Sequence, residues 1–153
     1  MQLQEILDVQ TIKVGMNNPN KDSIIKELAQ DLKGKGYLNN IEVFLTDVYK
    51  RESEGATGIG NYVAIPHGKS SAVTKVGVAI GVLDHEIQWE TLDGNGVKVV
   101  ILFSVGNDVE GAKTHLKLLS NFARKLGNDE VVANLIKSTS VQEVIDSFIG
   151  ENS

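Results

Sequence analysis

Three side chains in the sequence, His67, Arg51 and His115, are of types that can do chemistry on an anion. His67 stands between Pro66 and Gly68. The proline fixes its own backbone and directs the chain that leads to the histidine, and the glycine leaves space beside the imidazole. An imidazole with an ordinary pKa near ~6.5 is substantially neutral at neutral pH, so one ring nitrogen can attack phosphorus and later act as a leaving group. His67 is therefore the candidate nucleophile.

Arg51 and His115 are the candidates for stabilising charge around such a nucleophile. Phosphoryl transfer has a loose transition state with negative charge on the phosphoryl oxygens, so a site mainly needs positioned positive charge and hydrogen-bond donors. Backbone amides of a glycine-containing loop can add donors. Each residue also has an ordinary structural interpretation: His67 as a loop residue, Arg51 at the negative end of a helix, and His115 as a partly buried core histidine. Spacing alone leaves both interpretations open.

Motifs of other chemistries are incomplete in this sequence. The segment 68–70 resembles the end of a phosphate-binding P-loop, and Gly58 and Gly60 begin a dinucleotide fingerprint. Both motifs need glycine at the position of Val63. Trp89 replaces the second histidine of a zinc-protease helix. With three histidines and no cysteine, a metal site has little support.

Apolar residues at intervals of three and four predict three long helices. Asn20 can cap the first, and Gly127 can end the third. In the third helix, His115 is expected on the apolar side together with Leu116, Leu119, Phe122, Ala123 and Leu126. The predicted helices run from Asn20 to about 34, over 41–51 and 110–126, and, as two shorter helices, over 130–136 and 141–149.

The segments between these helices predict a sheet that helices cover on both faces. Residues 76–82 alternate between branched apolar and smaller or polar side chains, which predicts a strand with one buried face. Residues 97–105 are almost continuously apolar, which is typical of a central strand with both faces covered. Residues 93–96 supply the turn before that strand, and a short strand is expected over 62–65, just before Pro66 and His67. The pattern predicts an α/β sandwich.

The composition predicts one globular domain that spans 1–153, because 41% of the 153 residues are hydrophobic. No run approaches the ~20 apolar residues of a membrane-spanning helix, and the N-terminus lacks the pattern of an export signal. We therefore expect a cytoplasmic protein without direct membrane insertion, and the absence of cysteine suits that compartment. The net charge of −5 argues against general binding to nucleic acid.

The segment from Arg51 to Lys69, RESEGATGIGNYVAIPHGK, resembles the active-site segment of the enzyme IIA domains of the fructose and mannitol class of the bacterial sugar phosphotransferase system (PTS). The resemblance covers nearly the whole chain, including VGVAIGVL, FSVGND and THLKLLSNFARKL. It implies an α/β fold in which a mixed β-sheet is sandwiched between helices. It also implies that His67 is phosphorylated, that Arg51 precedes the glycine-rich segment of the site, and that His115 is the second histidine of the site.

The resemblance further implies the partners. The donor would be phosphorylated HPr, and the acceptor a cysteine of enzyme IIB, which serves a sugar entering through the membrane enzyme IIC. The chain has no cysteine, so we expect IIB and IIC to be separate polypeptides. No cofactor is required in this scheme, and the sugar is expected to be of the fructose type. Ile59, Tyr62 and Ile65 are expected to contribute to the surface that binds HPr.

Two other functions remain compatible with the same residues. The nitrogen-linked branch of the family resembles the same motif, and its members control partner proteins through their phosphorylation state. A binding module on this fold would never carry phosphate on His67. The segment EGATGIGNYVAIPH and the tryptophan-containing strand resemble the fructose type and favour sugar transport.

Overall fold

The computed structural model describes residues 2–150 of the chain. The strands are β1 (Ile12–Met16), β2 (Gly58–Gly60), β3 (Val63–Ala64), β4 (His67–Lys69), β5 (Gly77–Ile87) and β6 (Val97–Val105). The helices are α1 (Leu3–Ile6), α2 (Lys21–Gly34), α3 (Ile41–Glu52), α4 (Val109–Leu126), α5 (Asp129–Lys137) and α6 (Val141–Ile149), and a 3-10 turn spans Val9–Thr11.

The strands form one mixed sheet in the order β1-β5-β6-β3-β2, and β4 also pairs with β6. The central strand β6 is antiparallel to β5 and parallel to β3 and β4. Its side chains are buried along nearly the whole strand, as the continuous apolar run predicted. Strand β1, which the sequence pattern did not reveal, pairs with β5 in parallel.

Helices cover both faces of the sheet, so the predicted fold class is confirmed. Side chains of α2 and α3 pack with one set of strand residues, and those of α1, α4, α5 and α6 pack with the alternate set. The long helices begin at polar caps, of which Asn20 was predicted: its side chain accepts a hydrogen bond from the Ser23 amide at 2.9 Å. None of the helices within residues 2–150 is both long and apolar enough to cross a bilayer.

Strand β5 corrects one expectation, because all its residues from Gly77 to Leu83 are buried rather than alternate ones. The small residues of β5 lie where a helix or a large side chain packs closely against the strand. A Cβ atom on Gly81 would lie 2.6 Å from the sulfur of Met16 and 3.3 Å from Cδ1 of Ile24, which is on α2. The small side chains that suggested a solvent-facing side therefore leave room for the helix layer.

The buried side of α4 also differs from the expected one. His115 and Phe122 lie on it as predicted, but Leu116 is 69% exposed. Leu118, which the spacing had not placed there, is completely buried. The helix is thus rotated slightly about its axis relative to the predicted orientation, which leaves a large apolar side chain in solvent immediately after His115.

Candidate active site

His67 is the first residue of a strand, whereas the sequence placed it just past one. Strand β3 ends at Ala64, but the chain stays alongside β6 through Pro66, whose carbonyl oxygen accepts a hydrogen bond from the Phe103 amide at 3.0 Å. Strand β4 then continues the parallel pairing, with His67 opposite Phe103. The proline removes only its own N–H from the ladder, so the pairing resumes immediately after it. His67 is therefore fixed to the centre of the sheet by its backbone.

Gly68 determines how closely α3 approaches this strand. A Cβ atom at Gly68 would lie 2.5 Å from a ring carbon of Phe44 and 2.9 Å from a methyl group of Val48, both on α3. Successive strand residues point to opposite faces, so Gly68 faces α3 while His67 faces the opposite layer. The missing side chain lets α3 pack directly on β4, and its last turn carries Arg51 to the site.

The imidazole of His67 is buried, with 9% of the residue exposed. Its Nδ1 lies 3.2 Å from the carbonyl oxygen of Ile65. Because a carbonyl oxygen only accepts, Nδ1 carries the proton in this contact and Nε2 keeps its lone pair. Burial lowers the pKa of His67, and the Ile65 carbonyl and the Glu52 carboxylate oppose that change while Arg51 adds to it. The ring is therefore neutral at neutral pH.

His115 lies against His67, as the sequence analysis proposed from the resemblance. The ring centroids are 4.5 Å apart, and the ring planes are inclined by 52°. Burial, together with the nearby His67, lowers the pKa of His115 to about 4. Its Nε2 is buried and finds no hydrogen-bond partner among the residues that the structure describes. The ring is thus uncharged at neutral pH and has one polar atom unpaired.

Arg51 reaches the site from the last turn of α3. Its Nη1 donates a hydrogen bond to the carbonyl oxygen of Gly55 at 3.1 Å, and the other guanidinium N–H groups remain as donors. Arg51 and His67 line one cavity of about 360 Å³. The remaining lining residues are Asp47, Lys50, Glu54 and Lys69.

Lys69 lies in the candidate site, although the sequence had given it no role beyond ending the segment that resembles an active site. It is two residues after His67 on β4, so both side chains leave the same face of the sheet. Its positive charge contributes to the lowered pKa of both His67 and His115. The two-residue spacing along a strand was the signal that could have found it.

The side chain of Glu52, the residue that follows Arg51, is buried. Only 6% of its side chain is exposed. Lys21 places its Nζ 2.5 Å from Oε1, and the hydroxyl of Thr57 donates to Oε2 at 2.7 Å. The end of α3 is therefore anchored by a paired carboxylate directly beside Arg51.

The candidate site combines two histidines with two cationic side chains. Within residues 2–150, no three His, Asp or Glu side chains converge where they could hold a metal ion. The arrangement combines a neutral, oriented imidazole with a neutral second imidazole and with the charges of Arg51 and Lys69. It is suited to forming a transient bond between Nε2 of His67 and an anionic group.

Comparisons with known proteins point to one family. The family model described as "Phosphoenolpyruvate-dependent sugar phosphotransferase system, EIIA 2" matches residues 5–150. The mannitol-specific phosphotransferase enzyme IIA component of Halalkalibacterium halodurans is 36% identical over 151 residues, which cover 97% of each chain.

A longer relative and a solved structure extend this similarity. The "PTS system 2-O-alpha-mannosyl-D-glycerate-specific EIIABC component" of Escherichia coli (strain K12) is 34% identical over 129 residues, or 84% of this chain. The chain spans about a fifth of the length of that relative. The crystal structure of nitrogen regulatory protein IIA-Ntr from Neisseria meningitidis has a TM-score of 0.85 at 26% identity, covering 95% of this chain and 97% of that one.

Proposed function

Because the chain belongs to the EIIA type 2 family of the phosphoenolpyruvate-dependent sugar phosphotransferase system, we propose that His67 accepts a phosphoryl group from phosphorylated HPr and passes it to a cysteine of enzyme IIB. One observation carries the assignment of the residue. The contact of Nδ1 with the Ile65 carbonyl leaves Nε2 of a neutral imidazole available in a cavity that also contains Arg51 and Lys69.

The first transfer joins phosphorus to Nε2 of His67. The Nε2 lone pair attacks the phosphoryl group, the bond between phosphorus and the donor's histidine nitrogen breaks, and its electron pair returns to the donor's imidazole. The phosphorylated ring keeps the proton on Nδ1, which donates it in a hydrogen bond to the Ile65 carbonyl oxygen 3.2 Å away. In the second transfer, the acceptor's thiolate attacks phosphorus, and the electron pair of the P–Nε2 bond returns to His67.

Arg51 and Lys69 stabilise the charge on the phosphoryl oxygens in both transfers. Positioned cations of this kind contribute most where charge accumulates in the transition state. The guanidinium of Arg51 uses Nη1 for Gly55 and has further N–H groups for the phosphoryl oxygens. Lys69 adds charge from the same face of the sheet as His67.

His115 supplies a hydrogen bond without adding charge. Its pKa of about 4 keeps it neutral at neutral pH, so it adds no positive charge to the empty site beside Arg51 and Lys69. We assign its unpaired Nε2, as an N–H donor, to a phosphoryl oxygen. Phosphorylation of His67 would then satisfy a buried polar atom that has no partner in the empty site.

The partners and location complete the proposal. The chain has no cysteine, so the thiol that takes the phosphoryl group belongs to another domain or protein. The E. coli relative is named as a component with A, B and C parts, which supports IIB as the acceptor and IIC as the membrane partner. We place the protein in the cytoplasm, and we keep the fructose-type sugar as a prediction that rests on the sequence resemblance.

A regulatory function is the second candidate, and the fold similarity to IIA-Ntr from N. meningitidis supports it. Transport is favoured, because the mannitol-specific relative has the higher identity, 36% against 26%. Phosphoryl transfer to a purified IIB and onward to fructose or mannitol would support transport. Phosphorylation of this chain without onward transfer to any IIB of the same organism would support regulation.

The decisive experiment follows the phosphoryl group by mass. The chain is incubated with phosphoenolpyruvate, enzyme I and HPr, and its intact mass is measured before and after mild acid. We expect one acid-labile phosphoryl group on the wild type and on His85→Ala, which replaces an exposed histidine of β5, and none on His67→Ala. No gain on the wild type would refute the carrier function, and a gain on His67→Ala would refute the assignment of the residue.

A further inference from the structure

We propose that Thr57 is a positioning residue that joins the two halves of the site, holding His67 through the backbone of Ile65 and Arg51 through the side chain of Glu52. The inference rests on the proposed function of His67. It concerns a residue outside the cavity: Thr57 does not line it, and only 2% of the residue is exposed.

The hydroxyl of Thr57 has two partners, and their chemistry fixes its orientation. The indole Nε1 of Trp89 lies 2.9 Å from the hydroxyl oxygen and can only donate. The Glu52 carboxylate lies 2.7 Å away and accepts. The single hydroxyl proton therefore points to Glu52, and a lone pair receives Trp89. No rotation of the hydroxyl satisfies these partners in another way.

One arm of this arrangement runs to His67 through the backbone. The carbonyl oxygen of Thr57 accepts a hydrogen bond from the Ile65 amide at 2.9 Å. The carbonyl oxygen of the same Ile65 is the group that lies 3.2 Å from Nδ1 of His67. The Thr57 carbonyl thus holds Ile65 at its amide, and the next peptide unit, between Ile65 and Pro66, carries the carbonyl that selects the tautomer of His67.

The other arm runs to Arg51 through Glu52. The carboxylate held by Thr57 belongs to the last residue of α3, so it fixes the helix end on which Arg51 stands. Lys21 completes the anchor with an ion pair to Glu52, and its Nζ lies 5.2 Å from the centre of the Trp89 ring. We call Thr57, Glu52, Trp89 and Lys21 the threonine cluster.

This geometry separates Thr57 from a residue that merely stabilises the fold. A structural threonine would affect the melting temperature and leave the imidazole unchanged. Thr57→Val keeps the shape of the side chain, removes the hydroxyl and leaves the Trp89 and Glu52 groups without their partner. The backbone bond from the Ile65 amide to the Thr57 carbonyl remains, but the side-chain hydrogen bonds that fix the Thr57 segment and the end of α3 are lost.

The first measurement is the tautomer of His67, read from the nitrogen chemical shifts of its ring in the unphosphorylated protein. We expect the wild type and Thr57→Ser to show one dominant tautomer with the proton on Nδ1, and Thr57→Val to show a mixture. This readout does not depend on whether the protein carries a phosphoryl group, so its failure is distinguishable from failure of the proposed function.

The second measurement is the rate of phosphoryl transfer from HPr. We expect Thr57→Val to lower kcat at least tenfold with little change in KM, because HPr would bind a surface that the variant does not alter. Thr57→Ser restores the hydroxyl and should recover most of the rate. If Thr57→Val does not fold, Trp89→Phe removes one partner of the same hydroxyl and should give a smaller change in the same direction.

Thr11→Val is the matched control. Thr11 is completely buried, and its hydroxyl donates to the carbonyl oxygen of Val78 at 2.8 Å, on the far side of β5 and β6 from His67. The Thr11→Val variant should have a lower melting temperature, with the tautomer of His67 and kcat as in the wild type. The proposal is overturned if Thr57→Val, at a comparable loss of melting temperature, keeps the wild-type tautomer and kcat.

Discussion

The threonine cluster and the histidine pair, His67 with His115, are two buried polar groups in one small protein, and they differ in how completely they are paired. In the threonine cluster, the Thr57 hydroxyl and the Trp89 indole N–H are hydrogen-bonded within 2.9 Å. The Glu52 carboxylate accepts from Thr57 through Oε2, and its Oε1 forms an ion pair with Lys21 without a hydrogen bond. In the histidine pair, the ring centroids lie 4.5 Å apart, and Nε2 of His115 has no hydrogen-bond partner in the described residues.

The threonine cluster holds its side chains in place through mutual contacts, whereas the histidine pair leaves one nitrogen free to bind a ligand. An unpaired buried polar atom typically costs about 1–3 kcal/mol, so such atoms are rare in ordinary cores. The threonine cluster avoids that cost and fixes its neighbours. In the histidine pair, the unpaired Nε2 of His115 carries this free-energy cost when the site is empty. A phosphoryl oxygen bound to that nitrogen would remove the cost.

Among the predicted changes to residues around His67, replacing Arg51, which lies beside the histidine pair, should have the largest effect on the rate of phosphoryl transfer. We expect Arg51→Met to slow phosphoryl acceptance about 100-fold, the order seen when one positioned donor is removed from a transition state. The measurement is single-turnover transfer from phosphorylated HPr.

Arg124→Met is the control for this variant, because Arg124 also stands in the last turn of a helix. If Arg51 only neutralised a helix end, both variants would lose about 0.3–1 kcal/mol of stability and neither would lose rate. Equal transfer rates for the two variants would therefore remove Arg51 from the site.

Breaking the threonine cluster at Lys21 should cost stability as well. Lys21→Met leaves the Glu52 carboxylate buried without its cation, and we expect a loss of about 2 kcal/mol in the free energy of unfolding. Urea unfolding monitored by circular dichroism measures it. Lys26→Met removes an exposed ion pair with Asp22 and should cost less than about 0.5 kcal/mol, so a similar loss in both variants would contradict a special role for the buried pair.

An apolar replacement of His115 should separate stability from activity. His115→Leu removes the unpaired Nε2, so we expect the free energy of unfolding to stay equal or rise by about 1 kcal/mol. The same change should slow transfer about tenfold, because one donor to the phosphoryl group is lost. A strong loss of stability with an unchanged rate would instead identify His115 as a structural residue.

The smallest expected effect concerns pH. The pKa of His115 is about 4 in the fold against an ordinary 6.5, so the unfolded chain binds the extra proton between these values. Stability is therefore fully present above pH 6.5 and falls as the pH falls from 6.5 to 4. We expect His115 to contribute about 1–2 kcal/mol to the loss between pH 7 and pH 5, and urea titrations of His115→Leu should show a correspondingly smaller pH dependence.

Local pattern was sufficient for the long helices and the central strand. Helix α2 is determined within one segment, by the cap Asn20 and by the spacing of Ile24, Ile25 and Leu28. The continuous apolar run of β6 is compatible only with a strand that is covered on both faces. The sequence also supplied His67, because proline and glycine flank it in a motif that lies within one segment.

What the sequence did not reveal depends on contacts between distant segments. Thr57 and Trp89 are 32 residues apart, and only the packed fold brings the indole to the hydroxyl. Strand β1 is short, and its pairing with β5 joins positions far apart in the chain. The exposure of Leu116 follows from the rotation of α4 on the sheet, which spacing within the helix defines only to within part of a turn.

The pairing of His67 with Phe103 has a kinetic consequence. A nucleophile on a flexible arm could visit its donor and its acceptor at different places, but a nucleophile fixed to the central strand of a sheet cannot. If His67 carries the phosphoryl group as proposed, the donor and the acceptor must bring their reactive atoms to one point, so they occupy it alternately and exclude each other. Transfer should then follow ping-pong kinetics, in which an excess of the unphosphorylated donor slows delivery to the acceptor by competition.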